Sequence, residues 1–164
     1  MKIDEVNQYG KQQFAETLGW VFEDSPWVAE RAWRHRPFAS RTHLCETMKG
    51  EVEEASYQEQ LALLRAHPDL GTRAKISSGS AGEQAGAGLD KLTEAEYARL
   101  MELNTAYRDK FAFPFLYAVK GSNKFEIFEA LERRLNSGRE DEFPEALGQV
   151  YKIASFRLEG LITE

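Results

Sequence analysis

The sequence is poor in cysteine, in long apolar runs and in positive charge. Its single cysteine, Cys45, cannot form an internal disulfide, which indicates a reducing compartment. Charged residues keep every apolar stretch well short of the roughly 20 residues that cross a membrane. The first twenty residues lack a signal-peptide core, and the last residues are not a peroxisomal address. We therefore expect a cytoplasmic protein that does not act at a membrane.

Positive charge is outnumbered, since 21 lysines and arginines face 27 aspartates and glutamates for a net charge of −6. An acidic balance argues against nucleic acid as the main partner, because nucleic acids favour excess positive charge. Aromatic residues make up 12% of the chain, too many for a disordered protein. The length of 164 residues predicts one domain, residues 1–164.

The usual signatures of bound metals, nucleotides and cysteine nucleophiles are also missing. No Walker-type phosphate loop occurs, and the glycines near residue 80 do not match the dinucleotide-binding spacing. The three histidines, His35, His43 and His67, do not have the spacing of a zinc site, so no metal site is predicted. Cys45 and His43 lie two residues apart on a predicted helix and face different ways, which disfavours a cysteine nucleophile.

The local signals that are present are helical, and they predict an all-α fold of about seven or eight helices. Capping boxes occur at Ser56–Glu59 and Thr93–Glu96, each followed by apolar residues at helical spacing. No window shows the alternation of a strand bounded by hairpin turns. The predicted helix starts are Ser25-Pro26, Ser40 or Thr42, Ser56, Thr93, Ser122 and Phe143-Pro144.

His67 is the first candidate for chemistry. It stands at a predicted helix C-terminus, directly before Pro68, so its backbone is restricted. The negative end of a helix tends to raise the pKa of a histidine, which suits acid–base catalysis near neutral pH. The alternative is that His67 only caps the last carbonyl groups of the helix, and spacing alone does not separate the two.

Arg157 is the second candidate, because it shares a stripe of the last predicted helix with the apolar Val150, Ala154 and Leu161. An arginine on a core-facing stripe needs an acceptor, since an unpaired buried charge is costly. An internal salt bridge, or a side chain that reaches the surface, is the structural interpretation. The functional one is a guanidinium that binds a carboxylate or a carbonyl-rich ligand.

The third candidate is the segment of small residues from Ser80 to Gln84. By composition it is a flexible linker, but a long glycine-rich stretch inside a domain is often functional. Small residues let backbone N–H groups approach a ligand, and Ser80, Glu83 and Gln84 add donors and acceptors. With His67 and Arg157, the segment suggests a pocket for a small, polar, anionic molecule.

In this order the motifs resemble the OHCU decarboxylase family, named after 2-oxo-4-hydroxy-4-carboxy-5-ureidoimidazoline (OHCU). The resemblance covers essentially the whole chain. Each motif alone is modest, whereas the ordered set is specific. The motifs are Ser25-Pro26-Trp27-Val28-Ala29, Arg36-Pro37-Phe38, His67-Pro68-Asp69-Leu70-Gly71, Ser80-x-x-Glu83-Gln84 with Ala87-Gly88-Leu89, Phe113-Pro114-Phe115, and Arg157-Leu158.

The resemblance implies an all-α, commonly homodimeric lyase of purine catabolism without cofactor or metal, acting after urate oxidase and hydroxyisourate hydrolase. Members convert OHCU to (S)-allantoin and carbon dioxide, and a functional coupling to urate oxidase is expected. The catalytic residues that it implies are His67, Glu83 and Arg157. The implied substrate contacts are Pro68, Ser80, Ala81, Gly82, Glu83, Gln84, Phe115, Leu116, Tyr117, Ala118, Val119 and Arg157.

Two other functions remain open at this point. A helical protein-binding module would use an acidic surface and an apolar groove, and His67 and Arg157 would then be dispensable. A lyase for another small ureido acid would use the same scaffold on a different substrate.

Overall fold

The computed structural model describes residues 1–73 and 76–163 of the chain. Those residues form nine α-helices, two short 3₁₀ helices at Gly19–Val21 and Leu89–Lys91, and no β-strand. The all-α prediction is therefore confirmed, with one helix more than expected. None of the described helices is long and apolar enough to span a membrane. The helices are α1 (Ile3–Val6), α2 (Lys11–Leu18), α3 (Trp27–Trp33), α4 (Arg41–Glu53), α5 (Tyr57–Arg65), α6 (Ser78–Gly86), α7 (Glu94–Phe111), α8 (Lys124–Arg134) and α9 (Arg139–Leu161).

Three of the predicted helix starts are confirmed by side-chain caps. The Ser40 hydroxyl accepts the backbone N–H of His43 at the start of α4. Both capping boxes are complete: Ser56 and Glu59 close the start of α5, and Thr93 and Glu96 close that of α7. These short polar residues satisfy N–H groups that the first helical turn leaves unpaired.

Two predicted caps are wrong. The Ser25 hydroxyl does not cap α3 and instead donates to the carbonyl of Glu23 at 2.8 Å. At α8 the cap is Asn123 rather than Ser122, since the Asn123 side chain accepts the backbone N–H of Glu126. Asparagine caps as well as serine does, so adjacent capping residues leave the start uncertain by one position.

The last helix begins earlier than the predicted Phe143-Pro144 start. It begins at Arg139 and includes Pro144 as its sixth residue. At that position the missing N–H removes one helical hydrogen bond, to the carbonyl of Glu140. Glu140 is exposed, so water can reach that carbonyl. The acidic first turn, Glu140–Glu142, also favours the positive end of the helix.

The chain divides into two compact units, and α9 contributes to both. The terminal unit comprises Met1–Ala66 together with the chain from Val150 onward. In this unit α3 packs against α2 and α4. Its core buries Phe14, Leu44, Met48 and Leu158 completely.

The central unit is His67–Gln149 and contains α6, α7, α8 and the first part of α9. Its core is an aromatic cluster around the fully buried Tyr107 of α7. The Tyr107 ring lies 4.5 Å from that of Phe111 and 5.4 Å from that of Phe115, centroid to centroid. Tilted and edge-on pairs at these distances add to the stability that burial alone supplies.

Candidate functional site

The turn after α5 places His67 at the start of the central unit. The helix ends at Arg65, as the following proline requires, and Ala66 is its C-cap residue. The His67 side chain is 6% exposed, Pro68 and Asp69 are partly exposed, and Leu70 is buried. Arg108 of α7 donates to the Asp69 carboxylate at 2.6 Å, which ties the turn to the central unit.

The peptide that joins Leu70 to Gly71 is held from both sides. Asn104 of α7 donates to the Leu70 carbonyl at 2.9 Å, and the Gly71 N–H donates to the Gln84 Oε1 atom at 2.8 Å. Gly71 has a φ of 71°, and a Cβ atom there would lie 2.4 Å from a methyl carbon of Leu100. Only glycine fits this conformation and this space. The turn that carries His67 is therefore fixed by backbone contacts.

The segment from Ser80 to Gln84 is helical, which corrects the prediction of a flexible stretch whose backbone approaches a ligand. The hydroxyl of Ser77 accepts the N–H of Ser80 and caps α6. Inside the helix the N–H groups of Gly82, Glu83 and Gln84 bond to carbonyls one turn earlier, so they cannot bind a ligand. The cap and the packing of the buried face offset the low helix propensity of glycine.

Three of the expected site residues share one face of α6, since they follow the helical spacing of three and four residues. Ser80 and Gln84 are buried and Glu83 is partly exposed, whereas Ala81 and Gly82 are exposed. Because Gly71 fixes the Oε1 atom of Gln84, its Nε2 group points the other way. In the part of the chain that the structure describes, Nε2 makes no hydrogen bond and can donate to a ligand carbonyl.

A cleft of about 330 Å³ adjoins this helix in the central unit. Gln84 and Ala81 line it, together with Gly71 and Thr72 of the turn. The fixed amide of Gln84 thus borders an open space that a small molecule can enter.

The segment Phe113–Val119 follows α7 and has no regular secondary structure. Phe115, Leu116 and Val119 are buried, and Tyr117 and Ala118 are partly exposed. The Ala118 N–H donates to the side chain of Gln149 at 2.9 Å. Within residues 1–73 and 76–163, the N–H groups of Leu116, Tyr117 and Val119 find no hydrogen-bond partner. An N–H group that no protein acceptor satisfies can donate to a ligand, so these three N–H groups are available for that contact.

Arg157 of α9 belongs to the terminal unit and is buried, as its place on the apolar stripe predicts. Its Nη1 atom donates to the Trp20 carbonyl and its Nη2 atom to the Glu23 carboxylate, each at 2.9 Å. Both side chains of the ion pair are 3% exposed. The internal salt bridge is therefore present, and it holds the guanidinium in a defined orientation.

Two further kinds of site were considered from the sequence, a cysteine nucleophile at Cys45 and a metal site. Burial raises the pKa of the Cys45 thiol, which disfavours the reactive thiolate. Among the described residues, no three histidine, cysteine, aspartate or glutamate side chains are grouped so that they could hold a metal ion.

The model of the family described as OHCU decarboxylase matches residues 7–159. The chain belongs to this family. A protein of Halalkalicoccus jeotgali named 2-oxo-4-hydroxy-4-carboxy-5-ureidoimidazoline decarboxylase is 47% identical over 161 residues, 98% of this chain and 92% of that protein. The uric acid degradation bifunctional protein PucL of Bacillus subtilis is 47% identical over 162 residues, which are 99% of this chain and 33% of that protein.

The fold of this OHCU decarboxylase family member also matches a solved structure. A crystal structure of (S)-allantoin synthase superposes with a TM-score of 0.83 at 33% identity, covering 99% of this chain and 54% of that chain. The family, the class of enzyme and the fold predicted from the motifs are confirmed.

Most of the residues that hold these groups were not singled out from the sequence, although Gly71 belongs to the motif that begins at His67. Gly71 and Asn104 fix the turn of His67, Glu23 binds Arg157, and Arg134 and Gln149 bind the Phe113–Val119 segment. Arg134 had a detectable signal, because it follows Ile127 and Leu131 on an apolar stripe as Arg157 does on its own. Asn104 shares this signal, since it lies between Leu100 and Tyr107 on the apolar stripe of α7.

Proposed function

We propose that the protein catalyses the decarboxylation of OHCU to (S)-allantoin and carbon dioxide, a late step of urate degradation. The observation that carries this proposal is family membership over residues 7–159, with identity of 47% across nearly the whole length of a relative named for the reaction. The similarity to a structure of (S)-allantoin synthase supports the stereochemistry of the product.

The substrate carries its own electron sink. The carbon that loses carbon dioxide also bears a hydroxyl group and adjoins a ring C=N bond. The electron pair of the broken C–C bond flows toward that C=N bond, and the ring nitrogen takes up a proton. The hydroxyl then loses its proton as a carbonyl forms, and the neighbouring carbon gains one. The protein must orient the carboxylate, move these protons and select one face, because spontaneous decay yields racemic allantoin.

The roles that we propose follow from the chemistry of each group. His67 exchanges the hydroxyl proton, and its fixed turn supplies the orientation that proton transfer requires. Glu83 assists that transfer or binds the ureido group, beside Ser80 and the Nε2 group of Gln84 on the same helix face. Pro68, Ala81 and Gly82 are proposed as further contacts from the turn and from α6.

The remaining groups stabilise negative charge. The N–H groups of the Phe115–Val119 stretch are proposed to bind a ring carbonyl, since donors fixed before the reaction stabilise developing charge best. The Ala118 N–H already donates to the Gln149 side chain. We therefore propose that Ala118 helps only by holding the N–H groups of the neighbouring residues in place. Arg157 is proposed to bind the substrate through its guanidinium group, which Trp20 and Glu23 hold in a fixed orientation.

We further propose that the protein is a cytoplasmic homodimer that works beside a urate oxidase. A relative of which this chain matches one third is named a uric acid degradation bifunctional protein, which supports such a pairing of activities. Light scattering after gel filtration tests the dimer, and a monomeric mass at micromolar concentration would refute it.

The activity is tested with OHCU generated in place from urate by urate oxidase and hydroxyisourate hydrolase. Circular dichroism follows the formation of optically active allantoin after the protein is added. We expect a faster loss of OHCU and a net (S) signal. Decay at the background rate to racemic allantoin would overturn the proposed function.

A further inference from the structure

Three helices of the central unit converge on the segment Phe113–Val119 through one buried ionic cluster. Arg134 is the last residue of α8, Glu142 lies in the first turns of α9, and Tyr107 lies in α7. Their side chains are between 0% and 4% exposed. None of the three belongs to the motifs by which the family was identified.

The cluster holds the segment by its backbone and by a side chain. The Arg134 Nη1 atom donates to the Leu116 carbonyl at 2.6 Å, and its guanidinium lies 4.5 Å from the centre of the Phe115 ring. The Arg134 Nε atom donates to the Glu142 carboxylate at 2.6 Å, and the Tyr107 hydroxyl donates to the same oxygen. Arg134 is thus fixed by two helices while it fixes the loop.

The buried ion pair contributes more to the position of the Phe113–Val119 segment than to the stability of the fold. Removing two charges from water costs several kcal/mol per ion, and well-packed apolar side chains often replace a buried ion pair without loss of stability. What an apolar replacement cannot supply is a directed hydrogen bond to the Leu116 carbonyl. The peptide group of this carbonyl carries the N–H of Tyr117, and the preceding peptide group carries the N–H of Leu116; neither N–H has a partner within the described residues.

We propose that Arg134, held by Glu142 and Tyr107, is the positioning residue that orients the N–H groups of the Phe113–Val119 segment toward OHCU. The proposal rests on the proposed function. A shift of the Leu116 carbonyl would turn these N–H groups away from the substrate, and displacements of about 1 Å can lower a rate by about a hundredfold.

The test compares three variants of the full-length protein with the wild type. Arg134→Lys keeps the charge but loses the fork, Tyr107→Phe removes a single hydroxyl group, and Ile127→Val is the control for lost packing in the same unit. We expect Arg134→Lys to lower kcat/KM for OHCU by one to two orders of magnitude. Tyr107→Phe should lower it by several-fold, and Ile127→Val should leave it unchanged.

A second measurement is independent of turnover. Hydrogen exchange followed by mass spectrometry should show faster exchange at the Ala118 N–H in Arg134→Lys and Tyr107→Phe than in Ile127→Val. Wild-type kcat/KM and wild-type exchange in Tyr107→Phe would overturn the positioning role, even if Arg134→Lys fails to fold. If the wild type does not consume OHCU, the proposed function fails, whereas the exchange result still decides whether Arg134 fixes the segment.

Discussion

At the scale of single residues, His67 is the group on which the proposed proton transfers depend. His67→Ala should remove most of the acceleration of OHCU decay, by about a hundredfold or more, since positioned general acids and bases contribute about 10²–10⁴-fold. The decay assay with circular dichroism measures this loss. His43→Ala is the control, because His43 is exposed and its ring accepts the N–H of Ala39 just before its own helix. Full activity in His67→Ala would remove His67 from the mechanism.

Arg157 is the second residue whose geometry can be tested. Arg157→Lys keeps the positive charge but cannot bond both the Trp20 carbonyl and Glu23 in one plane. We expect kcat/KM to fall by about two orders of magnitude while far-ultraviolet dichroism stays unchanged. Arg31→Lys serves as a control, because Arg31 forms an ion pair with Glu59 in the same unit. Near-wild-type turnover would leave Arg157 with its structural role alone.

Gly71 supports the turn of His67 in a way that no other residue can. Gly71→Ala should cost about 2–4 kcal/mol, from a left-handed backbone and a clash with buried Leu100. Gly88→Ala should cost only about 1–2 kcal/mol, because its φ of 82° is also left-handed but no atom lies within 4 Å of its new Cβ. Urea unfolding at equilibrium measures both. Equal losses would contradict the close contact with Leu100.

At the scale of elements, α6 is a helix that composition alone did not predict. Ser77→Ala should lower the free energy of unfolding by about 1 kcal/mol, because it removes the cap. Gly86→Ala should raise it by about 0.5–1 kcal/mol, since the site is helical and open. Urea midpoints would show the opposite shifts. If neither midpoint moves, residues 78–86 are not helical in solution.

The elements also show where the sequence was informative. Ser56 and Thr93 predict their helices because a capping box is a local interaction between residues three positions apart. The start of α9 was misplaced because Pro144 is tolerated where only one hydrogen bond is lost. The short α1 and α2 lack side-chain caps at Lys2 and Gly10 and so gave no signal.

The same distinction applies to the candidate site. The burial of Arg157 followed from its stripe, but its partner Glu23 lies 134 positions away, and no local pattern could reveal it. His67, Glu83 and Gln84 are proposed as site residues from the ordered motifs. The bond of Asn104 to the Leu70 carbonyl and that of Gln149 to the Ala118 N–H depend on tertiary packing, so no local pattern identifies these partners.

At the scale of the whole molecule, a net charge of −6 sets a limit on how the substrate is bound. A carboxylate substrate is repelled by the overall field of an acidic protein. Binding therefore depends on a few placed cations and N–H groups, whose effect is local and less screened by salt than surface charge. This is why we expect single substitutions at those groups to outweigh any change of surface charge.

The response of stability to acid follows from two carboxylates, one in each unit. Ion pairing with Arg31 lowers the pKa of Glu59, and ion pairing with Lys124 lowers that of Glu96; each also accepts a backbone N–H of its capping box. A carboxylate whose pKa is lower in the folded state stabilises the protein above its unfolded pKa, and this contribution disappears as pH falls through the folded value. The free energy of unfolding should therefore decrease as the pH falls from about 5 to about 3.

A variant with Glu59→Gln and Glu96→Gln tests this expectation. It keeps both capping groups but not their charges, so its urea midpoint should fall less over the same interval. An identical decrease in both proteins would show that other carboxylates govern the acid response.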